Sequence, residues 1–313
     1  MNQSSGSYLV LLRRRLLVAV LTLLGVATVV FSLVRLLPGD PAATMLAQAG
    51  AAPESIAALR AELGLDRPLL VQYGDWLGGV ARGDLGRSLL TDRPVLELIG
   101  EQWRATALLA SFSFAWAVAL GVSLGAIAAY SRRRWLDWLT TGAAVTGTAV
   151  PVFWSGLLMI WLLSVVLGWL PPASGSPLSV ILPGLVLGHA AAGPIARLTR
   201  ASLLEVLSQP YIAAAHAKGL SERAVLWQHA ARNAAIPVVT VAGLQLGFLL
   251  GGAVVTETVF NRPGLGRLLV DGILWRDLPL VQGVALAIAF TYVLLNLVVD
   301  LLVGWLDPRV GWQ

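Results

Sequence analysis

The chain has no cysteine and only three histidines, His189, His216 and His229, among its 313 residues. The first absence removes disulfide frameworks, thiol nucleophiles and thiolate metal sites together. The second leaves little material for an imidazole-rich metal centre. Charge is also scarce. Asp, Glu, Lys and Arg make up 12% of the residues, against about 25% in an ordinary soluble domain. No G-x-x-x-x-G-K-[ST] phosphate loop occurs, so the chain is not expected to hydrolyse ATP by itself. His-x-x-x-His spacing on a helix, Gly-x-Ser-x-Gly elbows and paired intramembrane carboxylates are missing too.

What fills the space is apolar. Hydrophobic side chains reach 57% and the mean hydropathy is +0.76, too much for a water-soluble globule and expected of an integral membrane protein. Long runs without any Asp, Glu, Lys or Arg fall at 16–34, 105–131, 138–196, 233–256 and 278–299. A hydrocarbon core needs about 20 helical residues to cross. Four runs fit one helix each. The remaining run, 138–196, fits two, broken at Leu170-Pro-Pro-Ala-Ser-Gly-Ser-Pro177. The expected fold is an all-α membrane protein of six spanning helices, with a polar segment between the first and second.

The position of arginine predicts orientation. Segments 1–15, 131–137, 197–232 and 307–313 hold twelve Arg or Lys, whereas 169–177 and 257–277 hold three. An excess on one side places both termini in the cytoplasm. Trp103, Trp135, Trp138, Trp169, Trp275 and Trp305 fall near expected helix ends, where indoles favour the interface. Residues 13–34 could also be a secretory signal, but the apolar run is long and no clear cleavage site follows, so a retained signal-anchor helix is expected. The net charge of +5 and pI near 10.2 then reflect a cytoplasmic arginine excess rather than a nucleic-acid stripe. The segment 38–104 differs in kind, holding nine of the seventeen acids and only six arginines. Pro53-Glu54 can open a short helix there, and Val95 to Glu101 suggests another, amphipathic one. It reads equally as a polar cap on the outer membrane surface or as a docking surface for an external partner.

Ionisable groups inside the expected spans are few, and each is a pathway or packing candidate. His189 lies deep in span four, where a neutral imidazole hydrogen-bonded to a neighbouring helix is expected. Asp300 lies near the end of span six, four residues after Asn296, as a packing or capping group. Glu257 sits just past span five, to line an outer vestibule or reach the interface. Gly243, Gly247 and Gly251, beside Gly252, form a smooth face for close helix packing, within the bundle or against a second subunit. Pro183, Pro237 and Pro279 are expected near helix starts, and Pro151 as a kink inside span three.

The loop before span five runs from Tyr211 to Pro237. Small residues 213–215 and Ala217 favour a short helix that Gly219 can end in a left-handed turn. Ser221 can cap a second short helix, with Glu222 in its first turn. Its plainest reading is an ordinary amphipathic loop.

Nine blocks, two of them within this loop, carry a resemblance. They are Leu37-Pro-Gly-Asp-Pro-Ala42, Leu63-Gly-Leu-Asp-Arg-Pro68, Gly83-Asp-Leu-Gly-Arg-Ser88, Arg197-Leu-Thr-Arg-Ala-Ser-Leu-Leu-Glu-Val-Leu207, Ala217-Lys-Gly-Leu220, His229-Ala-Ala-Arg-Asn233, Glu257-Thr-Val-Phe260, Pro263-Gly-Leu-Gly-Arg267 and Leu306-Asp-Pro-Arg309. In this order the chain resembles the inner-membrane permeases of binding-protein-dependent ABC importers, in the peptide/nickel branch with a type I permease fold. The resemblance implies that residues 1–37 form a cytoplasmic N-terminus and first helix, 38–104 an external segment, 105–306 a five-helix permease core with a coupling loop at 197–236, and 307–313 a cytoplasmic tail. It implies that Ala214, Ala215, Lys218, Gly219, Leu220, Arg223, His229, Arg232 and Asn233 belong to a loop that docks on a cytoplasmic ATPase. The wider family has a glutamate where this chain has Ala213, and Ile-x-Leu-Pro where it has His229 to Arg232; these departures resemble the peptide/nickel branch.

No cofactor is then expected on this chain, with ATP and Mg held by partner ATPase subunits. The implied partners are a second homologous permease, two ATPases, an extracytoplasmic solute-binding protein and membrane lipid. Di- or oligopeptides are the expected cargo, with nickel, metal chelates or glutathione as alternatives. A reading of a different class is a carrier or channel that needs no ATPase, against which stand the few buried ionisable groups.

Overall fold

The computed structural model describes residues 3–36, 43, 52–62, 64–131, 134–170 and 177–306. Among them the regular structure is helical, apart from one isolated bridge between Arg87 and Pro94. In chain order the helices are α1 (Gln3–Leu36), α2 (Pro53–Glu62), α3 (Leu69–Ala81), α4 (Val95–Tyr130), α5 (Arg134–Ala149), α6 (Val152–Val166), α7 (Ile181–Leu207), α8 (Pro210–Ala217), α9 (Glu222–Val259), α10 (Leu265–Leu274) and α11 (Leu278–Leu306). Five of them, α1, α4, α7, α9 and α11, are individually long and apolar enough to cross a membrane. The blocks 37–42 and 307–309, most of the break at 170–177, and Arg132 and Arg133 lie outside the described residues.

The sixth crossing departs from expectation. Pro151 does not kink a continuous helix but separates α5 from α6, whose axes turn by 108°. The cause is local. Pro151 has φ −58° and ψ 136°, an extended conformation, and proline pushes the residue before it out of the helical region as well. α5 therefore ends at Ala149, and Pro151 becomes the cap of α6. Part of α6, Ile160–Val166, is wound as a π-helix.

Pro237 also differs from expectation, because it lies inside α9 rather than at its start. The uncharged run begins at 233, but the helix begins at Glu222. Arg223 and Arg232 do not stop it, since charge limits how far a helix enters lipid and not how far it continues beyond it. The second short helix expected after Ser221 is consequently the opening of α9, joined through a π-helical stretch at Val225–Ala230. Likewise, the short helix expected at Val95 to Glu101 is the opening of α4.

The chain divides into two compact units: Met1–Ala105 with Pro263–Val293, and Thr106–Arg262 with Leu294–Gln313. In the first, Val95, Leu98 and Ile99 bury against Leu265, Leu280 and Val284. A polar tie fixes the same region. The Ser88 hydroxyl donates to Asp277 Oδ2 at 2.6 Å, while Asp277 Oδ1 accepts from the Leu280 amide at 3.2 Å. Asp277 thus caps α11, where a carboxylate also suits the helix dipole. The Gly83-Asp-Leu-Gly-Arg-Ser88 block bends there through positive φ at Gly83 and Gly86. Arg93 reaches Glu97 and Glu101, each at 2.6 Å.

In the second unit α7 is the central helix, and glycines bring backbones close to it. A Cβ on Gly193 would stand 2.4 Å from the Ala144 carbonyl oxygen, and one on Gly147 2.4 Å from that of His189. On the other side a Cβ on Gly188 would meet the Ser113 carbonyl oxygen at 2.5 Å, and one on Gly125 that of Ala196 at 2.5 Å. Helices in lipid gain little from hydrophobic burial and associate by such close packing. Leu109, Leu187, Ile195 and Leu249 fill the remaining space. A bidentate ion pair closes the α5–α7 contact: Arg200 Nε and Nη2 donate to the two Asp137 oxygens at 2.9 and 3.0 Å.

Candidate functional site

α7 ends at Leu207, and an extended Gln209 lets Pro210 open α8 at the first helical position, where its missing amide costs nothing. The helix then stops in a Schellman motif. The Gly219 amide donates to the His216 carbonyl at 2.9 Å and the Leu220 amide to that of Ala215 at 3.4 Å. Gly219 carries φ +82°, the left-handed conformation that favours glycine at this place. Ser221 then caps α9, its Oγ accepting from the Ala224 amide at 3.3 Å.

α8 is short, so its stability must come from its underside. Ile212 and Ala215 are buried against Val225, with Val206 and Leu207 alongside. Asn233 adds a polar tie from α9, donating through Nδ2 to the Tyr211 hydroxyl at 2.8 Å and to the His229 carbonyl at 3.2 Å. A second apolar group, Leu203, Ala230 and Ala234, locks α7 to α9 just below. The short helix is thereby fixed to the ends of two long ones.

The upper surface is open. Ala214, Lys218, Gly219, Leu220, Arg223 and Arg232 are exposed, whereas Ala215 is buried and His229 half-buried. An added Cβ at Gly219 would meet nothing within 4 Å. The nine candidate residues therefore split by role: some form an open, small-residue, cationic face, and Ala215, His229 and Asn233 belong to its foundation. Two contributors are absent from the sequence-based set. Tyr211 is the acceptor that Asn233 needs, and Trp227 is 74% exposed on the first turns of α9. An indole so placed suits a membrane interface.

The other candidates do not join this loop. His189 is half-buried on α7, with Nε2 3.3 Å from the Thr146 hydroxyl of α5. Glu257 is fully buried within α9 and accepts from the Thr106 hydroxyl at 2.6 Å, so it does not reach the interface, one of its two expected places. Nearby Arg262 is buried too, and burial holds its guanidinium below its ordinary pKa while Glu257 opposes that fall. Asp300 is half-buried towards the end of α11. The glycine face of α9 is not one continuous contact: a Cβ on Gly243 would stand 2.1 Å from Val299 Cγ1, while one on Gly251 would meet nothing within 4 Å. Gly247 is half-buried between them, and Gly252, one position around the helix, approaches Leu187 instead.

Residues 121–312 match the family described as binding-protein-dependent transport system inner membrane component, and residues 8–110 match its N-terminal companion family. The chain belongs to this family. As a permease of ABC importers in the peptide branch, it is similar along nearly its whole length to other members of that branch. It is 45% identical over 312 residues to a protein of Brucella suis biovar 1 named as a peptide transport system permease, covering 97% of this chain and 99% of that one. It is 46% identical over 301 residues to the glutathione transport system permease GsiC of Salmonella typhimurium, covering 96% and 98%. Among solved structures, the MetNI methionine ABC transporter in an inward-facing form matches 67% of this chain and 96% of that one, with a TM-score of 0.57 at 19% identity. An amino acid ABC transporter covers 68% and 94%, with a TM-score of 0.51 at 16% identity. These two share the permease fold. The chain is thus a multi-pass inner-membrane permease subunit.

Proposed function

We propose that this permease carries di- or oligopeptides, forming half of a translocation pathway whose other half is a second, homologous permease. Two cytoplasmic ATPases would bind and hydrolyse ATP with Mg, this chain having no nucleotide site of its own, and a solute-binding protein would deliver cargo from the other face. Both termini and the α8 loop lie on the cytoplasmic side in this reading. The full-length similarity to a peptide permease is the observation that carries it. Similarity of the same extent to a glutathione permease supports a second cargo of the same chemistry, since glutathione is itself a small peptide.

The loop around α8 supplies the mechanical part of the proposal. Its foundation holds it to the ends of α7 and α9, so a displacement of the exposed face is passed to both helices. Small side chains let an ATPase backbone approach, and Lys218 and Arg223 can pair with acids there. Closure of the ATPases on ATP would then favour one facing of the pathway through contacts that differ between the two states.

Two substitutions test this. Gly219→Val forces a β-branched residue into a left-handed turn, at a cost of about 1–2 kcal/mol, yet meets no neighbour in this chain. Ala214→Trp adds bulk to the exposed face without touching the foundation. Both variants should insert normally and assemble poorly with the ATPases, or lose at least tenfold in substrate-stimulated ATP hydrolysis by the reconstituted complex. Unchanged coupling in Ala214→Trp would refute the docking role.

A further inference from the structure

The unit formed by Met1–Ala105 and Pro263–Val293 has a half-open apolar cavity of about 520 Å³ that plays no part in the coupling scheme. Leu24 and Ala27 of α1, Leu77 and Val80 of α3, and Leu286 and Phe290 of α11 form its walls, and no lining side chain carries a polar atom. Water needs two or more polar partners to reside in a cavity, and these walls are almost wholly apolar. The volume falls within the range of about 300–1,000 Å³ typical of sites that enclose a whole ligand. Because α1 and α11 both span the membrane, the molecules that meet this space are lipids, and their methylene chains match its chemistry.

A cation stands above it on the same helix face. Ala27, Phe31 and Arg35 follow one another at four-residue spacing along α1, which puts Arg35 about 12 Å further along the axis than Ala27. The Arg35 guanidinium lies 5.3 Å from the centre of the Phe31 ring, and Phe31 stacks with Tyr73 and Trp76 of α3 at 5.2 and 5.7 Å. Arg35 is half-buried, and its Nε finds no acceptor among the described residues. Position in the last turn of α1 accounts for a positive charge, through the helix dipole, and leaves the guanidinium half-buried beside the aromatic cluster. Tyr73 and Trp76 are residue types that settle at the level of lipid headgroups.

We propose that this unit holds one membrane phospholipid, with an acyl chain in the cavity and the phosphate on Arg35. The chain spacing and the charge match the two ends of such a molecule. Burial in the cavity would contribute about 0.8 kcal/mol per methylene only if the tail came from water; from the bilayer the gain is packing, so the phosphate contact sets occupancy.

The test uses the whole importer complex reconstituted in nanodiscs with a phospholipid carrying a photoactivatable diazirine near the end of one acyl chain. Peptide mapping after illumination should find label on Leu77 or Phe290 as well as on the outward-facing Leu17 and Leu21. Ala27→Trp, which fills the cavity, should lower labelling of Leu77 and Phe290 at least fivefold and leave Leu17 and Leu21 unchanged. Arg35→Gln should remove one tightly held phospholipid per complex in native mass spectrometry. A second measurement needs no filling variant. Since the chain has no cysteine, Leu77→Cys can carry a single fluorophore, whose quenching by a tail-brominated phospholipid should survive transfer to detergent and be lost in Arg35→Gln. Label confined to Leu17 and Leu21, or quenching that disappears on transfer in the parent protein, would overturn the proposal. Retention of the same lipid count in Arg35→Gln would overturn the headgroup contact.

Discussion

Two spans of this chain have opposite compositions and opposite surroundings. The apolar window of α1 has a mean hydropathy of 2.6 and 11% of its residues buried, while that of Leu178–Leu207, containing α7, has 1.6 and 61%. The more hydrophobic helix is the less buried one. In water the order would be reversed, since burial is where apolar side chains gain most. In lipid, leucine is as well solvated by acyl chains as by protein, so large apolar residues mark the lipid-facing helix and small ones mark contact. α7 carries Gly184, Gly188, Ala192 and Ala196 at four-residue intervals; Gly188 and Gly193 approach carbonyl oxygens of α4 and α5, and Gly121 and Gly125 of α4 approach those of Ala192 and Ala196. α1 presents Leu17, Leu21 and Leu33, each more than half exposed.

The strongest way to break this contrast is to add bulk at the seam. Gly193→Leu drives a side chain into the Ala144 carbonyl, a backbone atom that cannot rotate away. Overpacking alone costs about 1–3 kcal/mol, and a backbone collision should exceed that range. The expected result is loss of monodisperse protein in detergent, measured by size-exclusion chromatography. A normal profile would mean that α5 and α7 are not held this closely.

One leucine from each helix tests the same idea by subtraction. Leu187 is fully buried on α7 and Leu21 is 58% exposed on α1. Leu187→Ala should destabilise by about 2–5 kcal/mol through the cavity it leaves. Leu21→Ala should stay within about 0.5 kcal/mol. Denaturant titration of the purified permease measures both, and equal losses would refute the assignment of α1 to lipid.

A smaller effect is expected where α5 and α7 meet through charge. Asp137→Ala removes the bidentate partner of Arg200. Both side chains are about one-third exposed, which screens the pair, so a loss of about 1 kcal/mol is expected. Exchanging the two charges should recover part of it, as a double-mutant cycle would record.

These helices also explain which features could be read before any coordinates. The spans were legible because a charged side chain in mid-membrane is costly, so the gaps between charges outline them. The turn at Gly219 was legible because small residues, a glycine and a serine occupy positions with distinct backbone demands. Pro151 was not, because the same residue permits a kink or a full stop, and only the extended backbone it adopts decides for the 108° break. The burial of Glu257 was hidden for a similar reason: its acceptor role towards Thr106 joins residues 151 positions apart. The repeat at 184, 188, 192 and 196 was visible in principle. The glycine run on α9 drew attention instead, since glycine is more conspicuous than alanine, although alanine serves the same close approach.

That glycine run supplies the mildest test, and the one that separates contact inside the chain from contact outside it. Gly251 is exposed, and a Cβ there would meet no atom of this chain within 4 Å. Gly251→Ala should therefore leave the isolated permease as stable as before, or raise its stability by about 0.5–1 kcal/mol, because alanine restricts the unfolded backbone more than glycine does. Thermal unfolding of the single chain in detergent measures this. Assembly with the second permease is the informative comparison. If that assembly is unchanged, Gly251 faces lipid like the leucines of α1. If assembly weakens while the isolated chain stays stable, the missing side chain leaves room for a helix of the partner, and this part of α9 follows the rule of α7.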